Sequence, residues 1–235
     1  MKLKIQNLSK SYGEKEVLKE IDFTFEQGKI YGLLGRNGAG KTTFFNSLNE
    51  DISVDSGKFF LETEYGTDYL KTSDIGYVLS TPVVPEFLTG KEFLRFFLEI
   101  NERKIKNKKT MEEYFSLVQI DPNDQDKLLK DYSHGMKNKV QLLINIIANP
   151  RVILLDEPLT SLDIVVQEDM KKLLKSLKKD HIIIFSTHIL ELAMDLCDEI
   201  VILNHKRLEK VEKNNLNTKK YKTKIINCLK DVSND

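Results

Sequence analysis

The sequence is poor in the residues that cross-link secreted proteins and in the apolar runs that cross membranes. Its two cysteines, Cys197 and Cys228, lie far apart and lack the paired spacing of a metal site. This pattern favours a reducing compartment and argues against a disulfide scaffold. No stretch approaches the roughly 18 apolar residues of a membrane span, and the start, MKLKIQNLSK, lacks the apolar core of a signal peptide. We therefore expect any role at a membrane to require a separate partner chain.

A net charge is also absent, since 36 Lys and Arg residues balance 36 Asp and Glu residues. The composition as a whole therefore does not point to nucleic acid or to a membrane surface. Only the segment from Lys206 to Lys224 is biased, with eight basic and two acidic residues. We interpret this segment as a solvated surface rather than as an RNA contact, and we expect no nucleic-acid partner.

Apolar runs separated by helical patterns predict an α/β fold. The first thirty residues alternate like two antiparallel strands around a turn at Gly13. KIYGLLG then predicts a buried strand that leads into a glycine-rich loop and a helix from about Lys41. Two later runs, VILLD at 152–156 and HIIIFSTH at 181–188, are typical of further buried strands. Strands of this kind with helices between them predict a mainly parallel sheet covered on both faces.

A long helical pattern lies inside this α/β frame, between about Pro82 and Asn149. Its segments GKEFLRFFLEINERK and TMEEYFSLVQI are helical in pattern, and we take the whole stretch as helical. We therefore predict a helical subdomain at about 82–149, inserted into a domain that covers residues 1–207. The remaining residues, 208–235, are predicted to form a basic C-terminal tail.

The segment GRNGAGKTT fits the pattern G-x-x-x-x-G-K-[ST] of a phosphate-binding loop. Glycines allow backbone N–H groups to close around phosphate oxygens, the lysine reaches the outer phosphates, and the following hydroxyl suits Mg²⁺. A predicted strand precedes the segment and a predicted helix follows it, which is the context that this motif requires. The sequence therefore predicts a nucleoside triphosphate site, with the candidate residues Gly35, Asn37, Gly38, Ala39, Gly40, Lys41, Thr42 and Thr43.

A pair of carboxylates, Asp156 and Glu157, follows the buried strand VILLD. A carboxylate at the carboxyl end of such a strand can lie beside the magnesium of a phosphate loop. The next carboxylate can polarise an attacking water. We therefore predict that Asp156 is a magnesium ligand and that Glu157 is a catalytic base.

The stretch YSHGMKNKVQLLINIIANP predicts a helix with one apolar face. Ser133 is a suitable N-cap, and Pro150 stands just past the expected end. A helix N-terminus that exposes a glycine and a hydroxyl attracts anions. We therefore predict that this N-terminus meets an anion.

Together, these motifs make the chain similar to the ATP-binding subunits of ABC transporters, over about residues 2–207. The loop resembles the Walker A motif, VILLDE the Walker B motif, and SLD at Ser161–Asp163 the D-loop. His188 in IIIFSTHILE resembles the switch histidine, and Tyr12 in KSYG resembles the aromatic residue that stacks on adenine. YSHGM resembles the family signature, which is usually Leu-Ser-Gly-Gly-Gln.

The resemblance implies a P-loop NTPase core with a mainly parallel sheet, an N-terminal antiparallel β subdomain and an inserted helical subdomain. It implies ATP and Mg²⁺ as ligands, and hydrolysis that depends on Glu157 and His188. The magnesium ligands that it implies are Thr42, Asp156 and Ser80. Asp163 corresponds to the aspartate of the D-loop.

In this family two subunits pair head to tail, and the signature helix of one caps the γ-phosphate held by the loop of the other. The resemblance therefore implies that Ser133, His134 and Gly135 contact the nucleotide of a second subunit, in a homodimer or a heterodimer. ATP then holds the two subunits together, and hydrolysis releases them. The resemblance also implies attachment to the cytoplasmic face of the cell membrane through a separate permease subunit.

The sequence departs from the family pattern at two positions. His134 stands where the signature usually has its first glycine, whereas Ser133 and Gly135 keep the groups that face phosphate. Ser80 stands where family members often have a glutamine that touches Mg²⁺ and reports the nucleotide to the membrane subunit. Serine is too short for the same reach, so a bridging water is expected there.

The segment FLTGKEFLRFF resembles the bacterial type-2 ABC exporters, a branch that includes peptide, bacteriocin and polysaccharide exporters. In those transporters the loop at this place borders a groove that receives a short helix of the membrane subunit. Phe87 and Leu88 lie in this loop near two prolines and a glycine, where two large apolar residues are hard to bury locally. We therefore expect the permease to dock near Phe87 and Leu88.

Two other functions stay open from the sequence. An ABC importer ATPase has the same motifs and a membrane partner with its own substrate-binding protein. A soluble ABC protein of translation or DNA repair usually carries two nucleotide modules or a long coiled-coil insert, and this sequence has neither. The leading expectation is an ATPase that powers a membrane exporter of a peptide, bacteriocin or related substrate.

Overall fold

A computed structural model describes residues 1–103, 105, 108–159, 162–211 and 225 of the chain. The strands are β1 (Lys2–Tyr12), β2 (Lys15–Glu26), β3 (Ile30–Leu34), β4 (Ser56–Thr63), β5 (Gly66–Tyr69), β6 (Ile75–Val78), β7 (Val152–Asp156), β8 (Ile182–Thr187), β9 (Glu199–Asn204) and β10 (Arg207–Val211). The helices are α1 (Lys41–Leu48), α2 (Gly90–Ile100), α3 (Met111–Leu117), α4 (His134–Ala148), α5 (Ile164–Leu177) and α6 (Leu190–Leu196). Ser161 and nearly all of the predicted basic tail, 212–224 and 226–235, lie outside the described residues.

The chain forms two compact units. The first consists of Met1–Thr72 together with Lys178–Asp235, and the second consists of Ser73–Leu177. Within the described residues, no helix is both long enough and apolar enough to span a bilayer.

The first unit begins with an antiparallel sheet in the strand order β2-β1-β4-β5. The predicted antiparallel pairing of the first two strands is confirmed, with Leu3 opposite Phe25 and Ile5 opposite Phe23. The register shifts after Ile5, where Asn7 has a positive φ of 51°. A bulge of this kind adds a residue to one strand, so the alternation of buried side chains is interrupted and then resumes at Leu8.

The same unit contains parallel strands that carry the phosphate loop. β3 pairs in parallel with β8 on one side and with β9 on the other, and β10 then pairs antiparallel with β9. Every residue of β3 and β8 is buried, as the continuous apolar runs predicted. The mainly parallel character predicted for this sheet is therefore confirmed, and the carboxyl ends of β3, β8 and β9 lie at the same edge.

In the second unit, β6 and β7 pair in parallel. Three helices, α2, α3 and α4, share a buried apolar cluster that includes Leu94, Phe115 and Leu143. The stretch between Pro82 and Asn149 is not helical throughout, because residues 118–128 between α3 and α4 are not helical. Turn-forming residues in DPNDQD explain this interruption.

Side chains with a hydroxyl group cap the N-termini of α2, α3 and α4. Thr89 caps α2 and Thr110 caps α3, each in a reciprocal capping box with a glutamate three residues later. Ser133 caps α4, and its hydroxyl accepts a hydrogen bond from the Met136 N–H at 3.2 Å. The predicted N-cap of α4 is therefore confirmed. The helix ends at Ala148, and Asn149 follows it with a left-handed φ of 51°.

Gly90, the first residue of α2, lies against a buried tyrosine. A Cβ at this position would overlap the Tyr132 hydroxyl and would lie 3.1 Å from the Gln125 carbonyl oxygen. The hydroxyl donates to the Asp124 carbonyl at 2.9 Å. Burial raises the pKa of Tyr132 to about 12, so the phenol stays protonated as a donor at neutral pH.

We expect Gly90→Ala to lower the free energy of unfolding by about 1–3 kcal/mol, because it overpacks this contact. Denaturant unfolding followed by circular dichroism measures the change. In a Tyr132→Phe background the hydroxyl is gone, and the same Gly90→Ala change should cost less than half as much. An equal loss of unfolding free energy in both backgrounds would show that the Tyr132 hydroxyl is not what makes a side chain at position 90 unfavourable.

Candidate functional site

The phosphate-loop motif forms the connection between β3 and α1. Gly38 and Gly40 have φ values of 80° and 106°, a region that side chains rarely adopt. A Cβ at Gly40 would also lie 2.8 Å from Val17 Cγ1. The Ala39 N–H donates to the Arg36 carbonyl at 3.1 Å, which closes the loop on itself. Glycine is therefore required at position 40 for both its backbone angle and its packing.

Lys41 is the first residue of α1, and only 6% of it is exposed. Its Nζ donates to the carbonyl oxygens of Gly35 at 2.8 Å and Arg36 at 3.0 Å. The ammonium therefore lies across the loop, where phosphate oxygens can replace these carbonyls as acceptors. Thr42 is exposed in the first helical turn, which contains no acidic residue. A helix N-terminus with a cation and no carboxylate favours a bound anion.

Two predicted residues lie on other elements of the first unit. His188 is exposed and directly follows β8, and the preceding Thr187 Oγ1 accepts from the Ile189 N–H at 3.0 Å. Because β8 runs parallel to β3, His188 lies at the edge of the sheet that carries the phosphate loop. Tyr12 ends β1 and is 50% exposed, and the Lys10 ammonium lies 5.0 Å from the centre of its ring.

A cavity of about 270 Å³ adjoins the phosphate loop in the first unit. Its lining includes Arg36, Gly38 and Ala39 of the loop and Val17 of β2. The turn between β9 and β10 completes it, because β9 runs parallel to β3 and ends at the same edge. Sequence reasoning missed this turn, since no motif marks it.

The predicted carboxylates lie in the second unit. Asp156 ends β7 and is 3% exposed. Glu157 is half-buried and has a left-handed φ of 49°. A residue other than glycine in this region costs about 1–3 kcal/mol, and such residues cluster at functional sites. The backbone therefore turns sharply after β7 and directs the two adjacent side chains differently from an extended strand.

Two of the predicted magnesium ligands, one in each unit, carry oxygen donors of the kind that magnesium takes. Mg²⁺ takes oxygen ligands, and in nucleotide sites it uses one or two carboxylates together with phosphates and water. Asp156 supplies a buried carboxylate, and Thr42 supplies an exposed hydroxyl. Among the described residues, no group of three or more His, Cys, Asp and Glu lies close enough together to hold a metal.

The signature stretch lies at the start of α4. Ser133 and His134 are exposed, and Gly135 is half-buried. The next turn is anchored by an ion pair, since Lys137 Nζ lies 2.8 Å from Glu86 Oε1. The Ser133 hydroxyl keeps acceptor and donor capacity beside its cap bond, so this N-terminus can meet an external anion.

Two amide side chains of α4, which sequence reasoning missed, bind the strand that leads to Ser80. The Leu79 N–H donates to Gln141 Oε1 at 3.1 Å. Asn145 Nδ2 donates to the Gln141 carbonyl at 2.8 Å and contacts the Tyr77 carbonyl at 3.5 Å. Ser80 itself is exposed. The only sequence signal for Gln141 and Asn145 is that each is a polar residue on the apolar face of a helix.

Asp163, the predicted D-loop aspartate, is exposed at the start of α5, and its Oδ1 accepts from the Val166 N–H at 3.0 Å. Lys139 of α4 is buried and donates to the Gln119 carbonyl at 2.9 Å. Burial lowers the pKa of Lys139, and the nearby carboxylates of Asp163 and Asp169 oppose that shift. The lysine therefore links α4 electrostatically to the start of α5.

The loop before α2 presents one of its two predicted apolar residues. Phe87 is 79% exposed, whereas Leu88 is half-buried. The Leu88 carbonyl accepts from the Leu129 N–H at 2.8 Å, which fixes the loop. Phe93 and Phe97 of α2 pack against the apolar cluster of this unit.

Comparisons with known proteins agree on a family. A family model described as "ABC transporter" matches residues 18–160. The chain is 35% identical over 204 residues to the uncharacterized ABC transporter ATP-binding protein MJ1023 of Methanocaldococcus jannaschii, covering 86% of this chain and 74% of that protein. It is 32% identical over 213 residues to the sulfate/thiosulfate import ATP-binding protein CysA of Synechococcus elongatus, covering 89% of this chain and 62% of that protein.

A solved structure has a similar fold. It is a dimeric, post-hydrolysis state of the ATP-binding cassette MJ0796 bound to ADP and Pi, with a TM-score of 0.76 and 20% identity. The match covers 90% of this chain and 98% of that one. The α/β architecture predicted from the sequence is therefore confirmed.

Proposed function

The chain belongs to the ABC transporter family as an ATP-binding domain, and on that premise we propose that it hydrolyses ATP to power a membrane exporter. The transported substrate is proposed to be a peptide, a bacteriocin or a related molecule. The chain acts from the cytoplasmic face of the membrane, to which a separate permease subunit attaches it.

One observation carries the ATPase proposal: the loop that joins β3 to α1. Two of its glycines, Gly38 and Gly40, have left-handed backbone angles, and its lysine lies across the loop at the helix N-terminus. Backbone N–H groups, a cation and a helix dipole together suit the chain of negative charges on a nucleoside triphosphate. Bound Mg²⁺ would neutralise part of the charge that develops on the transferred phosphoryl group.

Each further residue has a proposed role. Asp156 and Thr42 bind magnesium, and Ser80 reaches it through a water. Glu157 polarises the attacking water, because its carboxylate follows the magnesium ligand and can accept a proton. His188 acts beside the γ-phosphate from its position at the end of β8.

Dimerisation is the second part of the proposal. Ser133, His134 and Gly135 bind the nucleotide held by a second subunit, identical or different. The exposed pair Ile164 and Val165 supports this, because 78% and 70% of these apolar residues are open to solvent at the start of α5. A second subunit would cover them on ATP binding.

The direction of transport separates two candidates. The relative CysA is named as a sulfate/thiosulfate import protein, which favours an importer. The loop and helix at FLTGKEFLRFF favour an exporter through their resemblance to type-2 exporters. The test is to purify the tagged chain from membranes in mild detergent and to identify the accompanying proteins by mass spectrometry. A permease alone supports export, and a permease with a substrate-binding protein supports import.

We expect Phe87→Glu to separate the chain from its permease while ATP binding stays unchanged. A buried aromatic at an interface is worth about 2 kcal/mol or more, which corresponds to roughly a thirtyfold loss of affinity. Copurification of the permease, with an ATP titration on the same variant, measures both effects. Adding Leu88→Glu should remove any permease that still copurifies. Because Leu88 is half-buried, the ATP titration must also show that this double variant is still folded.

The matched control for this experiment is Tyr65→Glu, which changes an aromatic residue that is 92% exposed between β4 and β5. It should retain the permease. Retention of the permease by Phe87→Glu with normal ATP binding would refute docking at this loop.

A further inference from the structure

The turn between β9 and β10 has an unfavourable backbone for its residues. Asn204 pairs with Arg207, so His205 and Lys206 form a two-residue turn. Their φ values are 44° and 66°, both in the left-handed region. Turns of this type strongly prefer Asn-Gly or Asp-Gly, because lysine in particular is strained there. The turn therefore carries backbone strain that Asn-Gly at the same two positions would relieve.

Contacts with β2 hold the strained turn in place. The Lys206 carbonyl accepts from the Lys19 N–H at 2.9 Å. Lys206 Nζ lies 3.3 Å from Glu16 Oε2. Both contacts use Lys206, so they fix the backbone of the turn without using the His205 ring.

The exposed His205 lines the cavity beside the phosphate loop. The lining also includes Lys15 and Val17 of β2, and Lys15 pairs with Tyr12 across the first hairpin. Gly38 and Ala39 of the phosphate loop line the same cavity. A ligand whose phosphates lie on the loop can therefore extend into a space that is lined by His205 and by Lys15, the residue paired with Tyr12.

We propose that His205 contacts the base of the bound nucleotide and that its strained turn is retained to place the imidazole there. This inference rests on the proposed function, since it assumes a nucleoside triphosphate on the loop. The phosphates are bound by groups that do not distinguish nucleotides. A planar aromatic ring that lines the same cavity, such as the His205 imidazole, can stack on a base, which adds affinity for the nucleoside part alone.

The test replaces the turn by Asn-Gly, in the double variant His205→Asn with Lys206→Gly. This change relieves the strain, so we expect the melting temperature to rise or stay equal, which rules out misfolding as the cause of any loss. Calorimetric titration should show ATP binding weakened by about fivefold or more. Binding of inorganic tripolyphosphate should stay within about twofold of the wild-type value, because it has no base to stack on. His205→Phe should keep the affinity for ATP.

The matched control is Glu50→Gly, which relaxes another left-handed residue, with φ 59°, just beyond the far end of α1 from the loop. It should leave both affinities unchanged. If the Asn-Gly variant binds ATP like the wild type, the role of His205 is wrong although the proposed function stands. If it loses ATP and tripolyphosphate equally, the turn acts on the phosphates and the base contact is refuted. If the wild-type chain binds no ATP, the proposed function itself fails.

Discussion

Glu157→Gln should bind ATP normally and hydrolyse it between about 10-fold and 10⁴-fold more slowly than the wild-type chain. Glutamine keeps the size and the hydrogen-bonding shape of the side chain but cannot accept a proton from water. The left-handed backbone at Glu157 makes the position unusual for any residue other than glycine, and both side chains meet this constraint equally. Phosphate release at saturating ATP and Mg²⁺ measures turnover, and a fluorescent nucleotide measures binding.

Lys41→Ala is the companion variant, and its expected defect begins with ATP binding rather than with the chemical step. It removes the ammonium that lies across the loop, so it should lose triphosphate binding as well as turnover. The pair of variants separates a chemical defect from a binding defect. Near-normal hydrolysis by Glu157→Gln would assign the base to another residue.

Ser133→Arg should abolish the ATP-dependent dimer that we expect Glu157→Gln to form. Ser133 is exposed at the start of α4, and the proposal places the phosphate of a second subunit against it. Arginine adds bulk at a closely packed phosphate site, where a small hydroxyl is needed. Light scattering of the double variant, with and without ATP, measures the mass directly.

Ser133 is also the N-cap of its helix, so its loss costs about 1 kcal/mol of stability. Thr110→Arg is the matched control, because Thr110 caps α3 in the same way and carries no proposed nucleotide contact. It should destabilise to a similar extent and leave the dimer intact. A dimer that survives Ser133→Arg would refute the contact in trans.

The sequence predicted the parts of the fold whose signal is local. β3, β7 and β8 are buried along their whole length, so each is a continuous apolar run. The phosphate loop is a fixed motif, and Ser133 marks the start of α4. β6 escaped prediction because it has four residues, IGYV, between polar segments and alternates between buried and half-buried positions. β5 escaped because all four of its residues are exposed.

The sharp turn at Glu157 could not be predicted because local preference points the other way. A residue that precedes proline is biased towards an extended backbone, and Glu157 precedes Pro158. Its φ is nevertheless positive, and such a backbone persists only where the surrounding structure stabilises it. Such conflicts between local preference and observed conformation are expected at functional sites. The contact of Gln141 with the Leu79 N–H was equally hidden, since it joins residues 62 positions apart.

The amide contacts of α4 have a mechanical consequence. Gln141 binds the backbone just after β6, and Asn145 contacts that strand one helical turn further on. A Cβ on Gly76 of β6 would lie 2.5 Å from Asn145 Oδ1, so helix and strand approach as closely as a glycine allows. Close-packed interiors resist compression, so we expect α4 and β6 to move together as a rigid pair. A displacement of the N-terminus of α4, where Ser133 lies, would therefore be transmitted directly to the backbone at Leu79.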